Sequence, residues 1–446
     1  MGAIRQGMAA LREKVKHMHG EKREKRRFLM LQGPVGPFFR RFARKLLREG
    51  HDVACASFNF GDKMFNREGE TLVFRRTFSE WEPWLLSLHA DRQFTDVIMY
   101  NDCRPYHAAA MAALKPLGVT FHLFEEGYFR PNMITYEQNG LNGHSFFYPC
   151  SKEKIERNAP PVPCPKAPKI RALPCSLRHI YANAVAYYTL LGGSTPFYPY
   201  YRRHRKRPPA IEAWQWIRRL CAQKSARRRS DARVAALPEG KYYLLLLQLS
   251  HDTQITRHSR FGGGMRQVIA ETVASFAARA PKDCVLAIKN HPLDNGAEDL
   301  DGFSARCAAD RGVSDRVVFI EFGHLPTMIK ASLGAVLVNS TSGTSVLHHG
   351  KKLLCLGKAI YDCEGLTFQG SLDDFWTSEF TPNKELFGKL RAAVCAKTQV
   401  FGNFYTAAGV ECALSRLMRF APFCRDADAP NASDDYVCFS NASEET

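Results

Sequence analysis

The chain of 446 residues is 45% hydrophobic and 24% charged. That is the balance of a soluble globular protein, too long for one compact core, so two or three domains are expected. Its longest apolar runs, such as LLLL at 244–247, fall far short of the roughly 20 residues a membrane-spanning helix needs. The basic N-terminus has no apolar h-region. The net charge of +18 sits in two blocks: residues 1–27 hold nine Lys or Arg against three Glu, and residues 201–230 hold eleven against Glu212 alone.

The first stretch alternates strands and helices. RFLMLQG (27–33) is a predicted strand, FFRRFARKLLREG (38–50) a helix stopped by Gly50, and HDVACASF a second strand. Ser79 with Glu82 three residues on predicts a capping box. TDVIMYN (95–101), a helix from about Pro105, and GVTFHLF (118–124) complete a parallel α/β layer. Residues 151–175 hold six prolines, a linker composition. SLRHIYANAVAYYTLLGG is a predicted helix, followed by a basic stretch around Trp214 and Trp216.

A second alternation starts at KYYLLLLQL (241–249). It continues through a helix near 265–280 and the strands DCVLAIK (283–289) and RVVFIEF (316–322). A helix after His324, strand GAVLVN (334–339), helix GTSVLHHG (343–350) and strand KKLLCLG (351–357) complete it. Continuous apolar strands joined by helices imply parallel sheets covered on both faces. The expected fold class is therefore α/β, with two Rossmann-like domains whose parallel sheets face a central cleft. The expected boundaries are a basic amphipathic arm (1–27), an N-terminal domain (28–150), a proline-rich and basic linker region with possible membrane contact (151–235), a C-terminal domain (236–400), and a helix with an acidic disordered tail (401–446).

In open parallel sheets, ligands sit beyond the carboxyl ends of the strands. The polar clusters there are GPVG (33–36), DCRPYH (102–107), EEGYFRP (125–131), QLSHDTQ (248–254), NHPLD (290–294) and NSTSGTS (339–345). NSTSGTS lies between a strand and a helix, where backbone N–H groups and the helix end suit a phosphate; an ordinary Ser/Thr N-cap is the alternative. It is no Walker loop, because the lysine is missing. Lys289 and His291, with Pro292 forcing a turn, suit a phosphate or leaving group, or a structural loop cap.

Strand alternation sends Glu125 and Glu126 to opposite faces. Glu126, next to the Gly127 turn, is the expected reactive carboxylate, with Glu125 held by partners such as Arg130; solvated loop carboxylates are the bland alternative. Gly33 and Gly36 make a tight turn that leaves room for substrate. Asp102, Arg104 and His107 are further cleft candidates. Gln248, Ser250 and Asp252 alternate and would share a face of an extended strand, although Asp252 is equally suited to cap a loop.

The fourteen cysteines are scattered without a CxxC, so buried thiols are expected and no metal site. Ile4, Met8, Leu11, Val15 and Met18 recur at helical spacing on a basic segment. That stripe suits an interfacial membrane helix, a short coiled coil or a disordered arm. Tyr198, Tyr200, Tyr201, Trp214 and Trp216 beside the second basic block suit a membrane interface as well. Anionic membrane is favoured over nucleic acid, since no nucleic-acid module is recognisable.

The ordered set LQGPVGPFF, NDCRPYH, FEEGYFRPNMIT, NGHS, QLSHDTQI, KNHPLD and NSTSGTSVLHHGKKLLCLG resembles the bacterial capsule polysaccharide biosynthesis family and, within it, the KpsS-type β-Kdo transferases. The motifs run from about residue 28 to 370. The resemblance implies a retaining, GT-B-like glycosyltransferase that places Kdo from CMP-Kdo on a (lyso)phosphatidylglycerol lipid. It implies no cofactor and no metal. It puts the acidic-glycine motif on Glu125, Glu126 and Gly127, the HP motif on His291 and Pro292, and the CMP-phosphate loop on Ser340, Thr341, Ser342, Gly343 and Thr344. Where this chain has Glu126, related transferases often carry Asp. The implied partners are an anionic phospholipid acceptor, the inner-membrane surface, a poly-Kdo transferase and the capsule export complex, with the protein cytoplasmic and peripheral on the membrane. Two alternatives stay open: another nucleotide-sugar donor such as CMP-sialic acid, or a non-catalytic docking partner.

Overall fold

The computed structural model describes residues 23–160, 177–203, 209–249, 261–262 and 264–425. The expectations placed on residues 4–18, on Ser250 and Asp252, and on the tail after 425 lie outside them. In chain order, β1 (Arg27–Met30), α1 (Phe38–Arg48), β2 (Asp52–Ser57), α2 (Phe60–Phe65), β3 (Glu70–Val73), α3 (Trp81–Arg92), β4 (Asp96–Tyr100), α4 (Pro105–Leu114), β5 (Thr120–Glu126) and β6 (Met133–Gln138) come first. Then follow α5 (Lys152–Asn158), α6 (Leu177–Gly193) and α7 (Pro209–Ala235). The next run is β7 (Tyr242–Leu246), α8 (Gly264–Arg279), β8 (Val285–Lys289), α9 (Leu300–Ala309), β9 (Val317–Ile320), α10 (Leu325–Ala331), β10 (Gly334–Leu337), α11 (Ser342–His348) and β11 (Lys352–Cys355). Short α12 (Leu372–Phe375), then α13 (Lys384–Thr398), β12 (Gln399–Phe401) and α14 (Ala407–Leu417) close the described chain.

Two α/β units result. The described residues of the first are 23–139, 177–202 and 395–425; those of the second are 140–160, 203, 209–249, 261–262 and 264–394. This division corrects the sequential boundaries. Residues 151–235 are not one linker, because α6 joins the first unit and α7 the second. The segment from 395 also returns to the first unit, where β12 pairs with β6 and Phe404, Val410, Leu414 and Phe423 enter the core. Such long-range burial leaves no mark in local periodicity.

The first sheet has the order β12-β6-β5-β4-β1-β2-β3. Strands β5, β4, β1, β2 and β3 are parallel to their neighbours, as expected, whereas β5–β6 and β6–β12 are antiparallel. The reason is local. The connection from Glu126 to Met133 is too short for a crossover, so it makes a hairpin. Gly127 N–H donates to Met133 O at 2.9 Å, and a Cβ at Gly127 would lie 2.5 Å from both Met133 Cβ and O.

Helix α1 covers this sheet with Phe38, Phe39, Phe42 and Leu46. Gly50, at φ +84°, reverses the chain after it. Phe38 meets Phe404 edge-on at 5.0 Å and Phe42 meets Phe423 at 4.9 Å, a geometry that favours aromatic pairs. The capping box falls on Thr77 and Glu80 rather than Ser79 and Glu82, with Glu80 Oε2 accepting from Thr77 N–H at 3.0 Å. Fully buried Trp81, which donates Nε1–H to Tyr106 O at 3.0 Å, fixes that earlier start.

The second sheet, β11-β10-β7-β8-β9, is parallel throughout. Its core joins Leu245, Leu286, Ile288, Val336 and Leu354 to Val268, Ile269, Phe276 and Trp376. The uninterrupted LLLL run is what a strand buried on both faces requires.

Candidate functional site

At the carboxyl edge of the first sheet, β5 delivers the acidic pair. Glu125 and Glu126 are both half-buried. Alternation separates them as expected: Asn101 Nδ2 donates to Glu125 Oε1 at 3.4 Å, while the Tyr405 hydroxyl donates to Glu126 Oε1 at 2.5 Å. Burial and the nearby Glu126 charge push the Tyr405 phenol well above its ordinary range, so it remains the proton donor. The same carboxylates, after burial, push Tyr100 up.

Arg130 lies close enough for its charge to oppose both phenol shifts. Its Nε reaches Gly127 O at 3.4 Å. Arg130 thus braces the turn beside the pair.

The loop after β4 is tied down by Asn101, in the left-handed region at φ +65°. Its side-chain oxygen accepts from Cys103 N–H at 2.7 Å, and its carbonyl meets His107 Nδ1 at 2.7 Å. Burial, then the Arg104 charge, pushes His107 down to about 3, so the ring is neutral and donates from Nδ1. His107 therefore anchors the loop. Arg104 lies 5.3 Å over the Tyr100 ring and approaches Gly33 O at 3.4 Å. Asp102 is buried and accepts from Cys103 Sγ at 3.0 Å. A Cβ on Gly33 would meet the Phe39 ring at 2.7 Å and one on Gly36 the Phe404 carbonyl at 2.9 Å. These two glycines make room for packing.

Sequence reasoning missed two groups here. Tyr405 sits in the loop after β12, with its N–H on Asn403 Oδ1 at 3.1 Å. Asp62 is buried and accepts from Gln32 Nε2 at 3.0 Å, Tyr187 Oη at 2.8 Å, Asn59 Nδ2 at 2.8 Å and Phe58 N–H at 3.1 Å. Burial pushes its carboxyl up to about 6, with the Tyr187 and Gln32 hydrogen bonds opposing. The N-x-x-D spacing of Asn59, whose side chain caps α2 on Asp62 N–H, was the available signal.

In the second unit, Gln248, after β7, and Asn339, after β10, lock those loops together. Gln248 Nε2 donates to Asn339 Oδ1 at 3.0 Å, and Asn339 N–H donates to Gln248 Oε1 at 3.1 Å. His291 is half-buried; its Nδ1 accepts from Leu293 N–H at 3.1 Å, which leaves the proton of the neutral ring on Nε2. Pro292 is exposed and shapes the turn. The Lys289 ammonium is buried and donates to Asn290 O at 2.9 Å and Glu321 O at 3.1 Å. Burial, then the Arg219 charge, pushes it down to about 8.

In the serine-rich loop, Ser342 N–H donates to Ser340 Oγ at 3.2 Å, Gly343 N–H to Ser340 O at 3.0 Å and Thr344 N–H to Thr341 O at 3.1 Å. The backbone donors expected to face an anion are thus engaged within the loop. Ser340, Thr341 and Ser342, half-buried, carry its polar hydroxyls, while Thr344 Oγ1 donates to Thr341 O at 2.8 Å. Tyr361 Oη donates to Ser340 O, and the absence of a Cβ at Gly343 makes space for that ring.

A cavity of about 480 Å³ lined by Tyr243, Lys352 and Trp376 lies at the amino ends of β7 and β11, the opposite edge of the sheet. Among the described residues no group of three or more His, Cys, Asp or Glu could hold a metal ion.

Residues 95–405 match the family described as capsule polysaccharide biosynthesis protein. The chain is 34% identical over 383 residues to the Escherichia coli capsule polysaccharide export protein KpsS, with 85% of this chain and 97% of that protein covered. It is 33% identical over 396 residues to the capsule polysaccharide modification protein LipB of Neisseria meningitidis serogroup A, with 85% and 91% covered. Among solved structures, Thermosulfurimonas dismutans KpsC, beta Kdo 2,7 transferase, aligns with a TM-score of 0.44 at 12% identity, covering 88% of this chain and 98% of that one. With the family match spanning both sheets' candidate edges, the chain belongs to the capsule polysaccharide biosynthesis family.

Proposed function

We propose that the protein is a retaining glycosyltransferase of capsular polysaccharide biosynthesis, moving Kdo from CMP-Kdo to a (lyso)phosphatidylglycerol acceptor at the inner face of the bacterial inner membrane. The observation that carries this reading is Glu126, a half-buried carboxylate at a strand's carboxyl edge, held through one oxygen by Tyr405. In the transfer, the bond from the anomeric carbon to the CMP oxygen breaks. A bond from that carbon to the acceptor hydroxyl oxygen forms, and the hydroxyl loses its proton. With retention, either Glu126 takes the hydroxyl proton while the acceptor oxygen attacks from the face that CMP leaves, or a Glu126 Oε–anomeric carbon bond forms as CMP departs and breaks when the acceptor oxygen attacks. Either role contributes about 10² to 10⁴ in rate.

The departing CMP carries developing negative charge on its phosphate. His291, with its proton on Nε2, and the hydroxyls of Ser340, Thr341 and Ser342 are the donors assigned to it. Gln248 and Asn339 tie the Ser340–Ser342 loop to the loop after β7. The product then serves a transferase that adds further Kdo, ahead of capsule export.

The test is incubation with CMP-Kdo and a fluorescent phosphatidylglycerol, read by product mass. The expected product is heavier by Kdo residues, and Glu126→Ala loses more than nine-tenths of the activity. Donor binding without turnover would overturn the enzymatic reading. Protection against heating by CMP-sialate in place of CMP-Kdo would change the donor.

A further inference from the structure

Helix α7 turns three polar side chains, Gln215, Arg219 and Ser230, toward the protein. Gln215, Arg219, Ala226 and Ser230 fall within an arc of about 60° on a 3.6-residue helix. Along that arc Gln215 Oε1 accepts from Asn295 Nδ2 at 3.0 Å, Arg219 pairs with Glu321 at 2.7 Å, and Ser230 Oγ accepts from Phe322 N–H at 3.1 Å. The other side points away. There Trp214 is 60% exposed, Ile217 60% and Leu220 58%. Two turns beyond Ile217, the same side carries exposed Lys224 and Arg228. Neither of these two cations has an ion-pair partner among the described residues.

We propose that this outward face is a docking surface for an anionic lipid bilayer, with the Trp214–Ile217–Leu220 ridge in the acyl boundary and the cations on phosphate headgroups. The occupant follows from the two halves together. An apolar ridge left in water is unfavourable, and it finds a matching environment only in hydrocarbon or another apolar surface. The unpaired cations on the same side call for negative charge around that environment. A nucleic acid offers phosphates along its whole length and no partner for the ridge. No described helix is long and apolar enough to cross a membrane, so the binding is interfacial. Each cation near an anionic leaflet adds about fivefold to partitioning at moderate salt.

The test uses the full chain without donor, and vesicles of 30% phosphatidylglycerol in phosphatidylcholine or of phosphatidylcholine alone. The parent is expected to co-sediment with the anionic vesicles at least tenfold better. Trp214→Ala with Ile217→Ala lowers that binding about tenfold, and Lys224→Glu with Arg228→Glu lowers it more at 50 mM than at 500 mM NaCl, both with unchanged circular dichroism. Anionic-vesicle binding equal to the parent's in either double variant overturns the proposal. So does a parent that elutes as a dimer which the Trp214 and Ile217 changes dissociate, or a polyuridylate affinity lost in the charge variant while vesicle binding persists. Glu126→Ala protein is expected to bind vesicles like the parent, so failure here and failure of the transferase reading are separable.

Discussion

Tyr405 Oη and Glu126 Oε1 stand 2.5 Å apart although 279 positions separate them in sequence. The tyrosine ring is set by its neighbour Phe404, edge-on at a centroid distance of 6.2 Å. The carboxylate is therefore oriented by a segment from the far end of the chain. Tyr405→Phe keeps the ring and removes the donor. A hydrogen bond to a charged group contributes about 1.5–3 kcal/mol to stability, so the unfolding free energy is expected to fall by about that amount, and transfer to slow about 10- to 100-fold because the carboxylate loses the group that orients it. Steady-state kinetics beside thermal unfolding decides it; unchanged turnover would leave Tyr405 a packing residue.

His291→Ala is expected to slow turnover about 100-fold while weakening CMP binding by less than about fivefold, because leaving-group stabilisation acts mainly in the transition state. Calorimetric titration with CMP and single-turnover rates separate the two effects. Ser340→Ala should do the reverse and weaken CMP binding about 10-fold, by removing a hydroxyl and the group that accepts from Ser342 N–H.

Gly127→Ala tests the hairpin that ends the acidic motif. The added methyl would meet the Met133 backbone oxygen at 2.5 Å, and backbone cannot swing aside as a side chain can. A loss of about 2 kcal/mol or more is expected, which lowers the melting temperature by about 4–8 °C.

Asp62 predicts a pH dependence of stability. Its folded carboxyl titrates at about 6 against an ordinary 3.8, so the folded state holds the proton more tightly than the unfolded chain. The unfolded chain ionises first as pH rises. The contribution of Asp62 to stability is therefore full below pH 4, falls between pH 4 and 6, and is lost above that, a change of about 3 kcal/mol. Asp62→Asn cannot titrate, so its unfolding free energy should lack this downward slope. Denaturant titrations from pH 4 to 7 measure it.

Lys289→Met asks whether that cation supports the loop or the donor. Its ammonium already serves two carbonyls, and leaving those acceptors without a donor costs about 1–3 kcal/mol each. The variant is expected to be destabilised by at least 2 kcal/mol, with CMP affinity within about threefold of the parent where it remains folded.

Much of the architecture was legible in local pattern. The apolar runs at β1, β4, β5, β7, β8 and β10 are flanked by turns, and a strand covered on both faces has to be continuously apolar, so period and burial agree. Pro105 opening α4 and Gly50 closing α1 work through backbone dihedrals, which a residue carries with it. Helix α7 escaped the same reading because its pattern is inverted, with Gln215, Arg219 and Ser230 facing inward and Trp214, Ile217 and Leu220 outward. The basic, aromatic composition was visible; its placement on one helix face was not.

By itself the sequence determined the two parallel-stranded layers, the polar residues at their carboxyl edges, and the opposite facing of Glu125 and Glu126, because strand alternation is a property of the local chain. Only the tertiary structure decided which groups hold them. The pairing of β12 with β6 brings Tyr405 to Glu126, and α6 brings Tyr187 to Asp62. The gain from burying Phe404, Val410 and Phe423 is what recruits the C-terminal segment to the first unit. Such burial depends on apolar area and shape across hundreds of positions, and no local spacing encodes it.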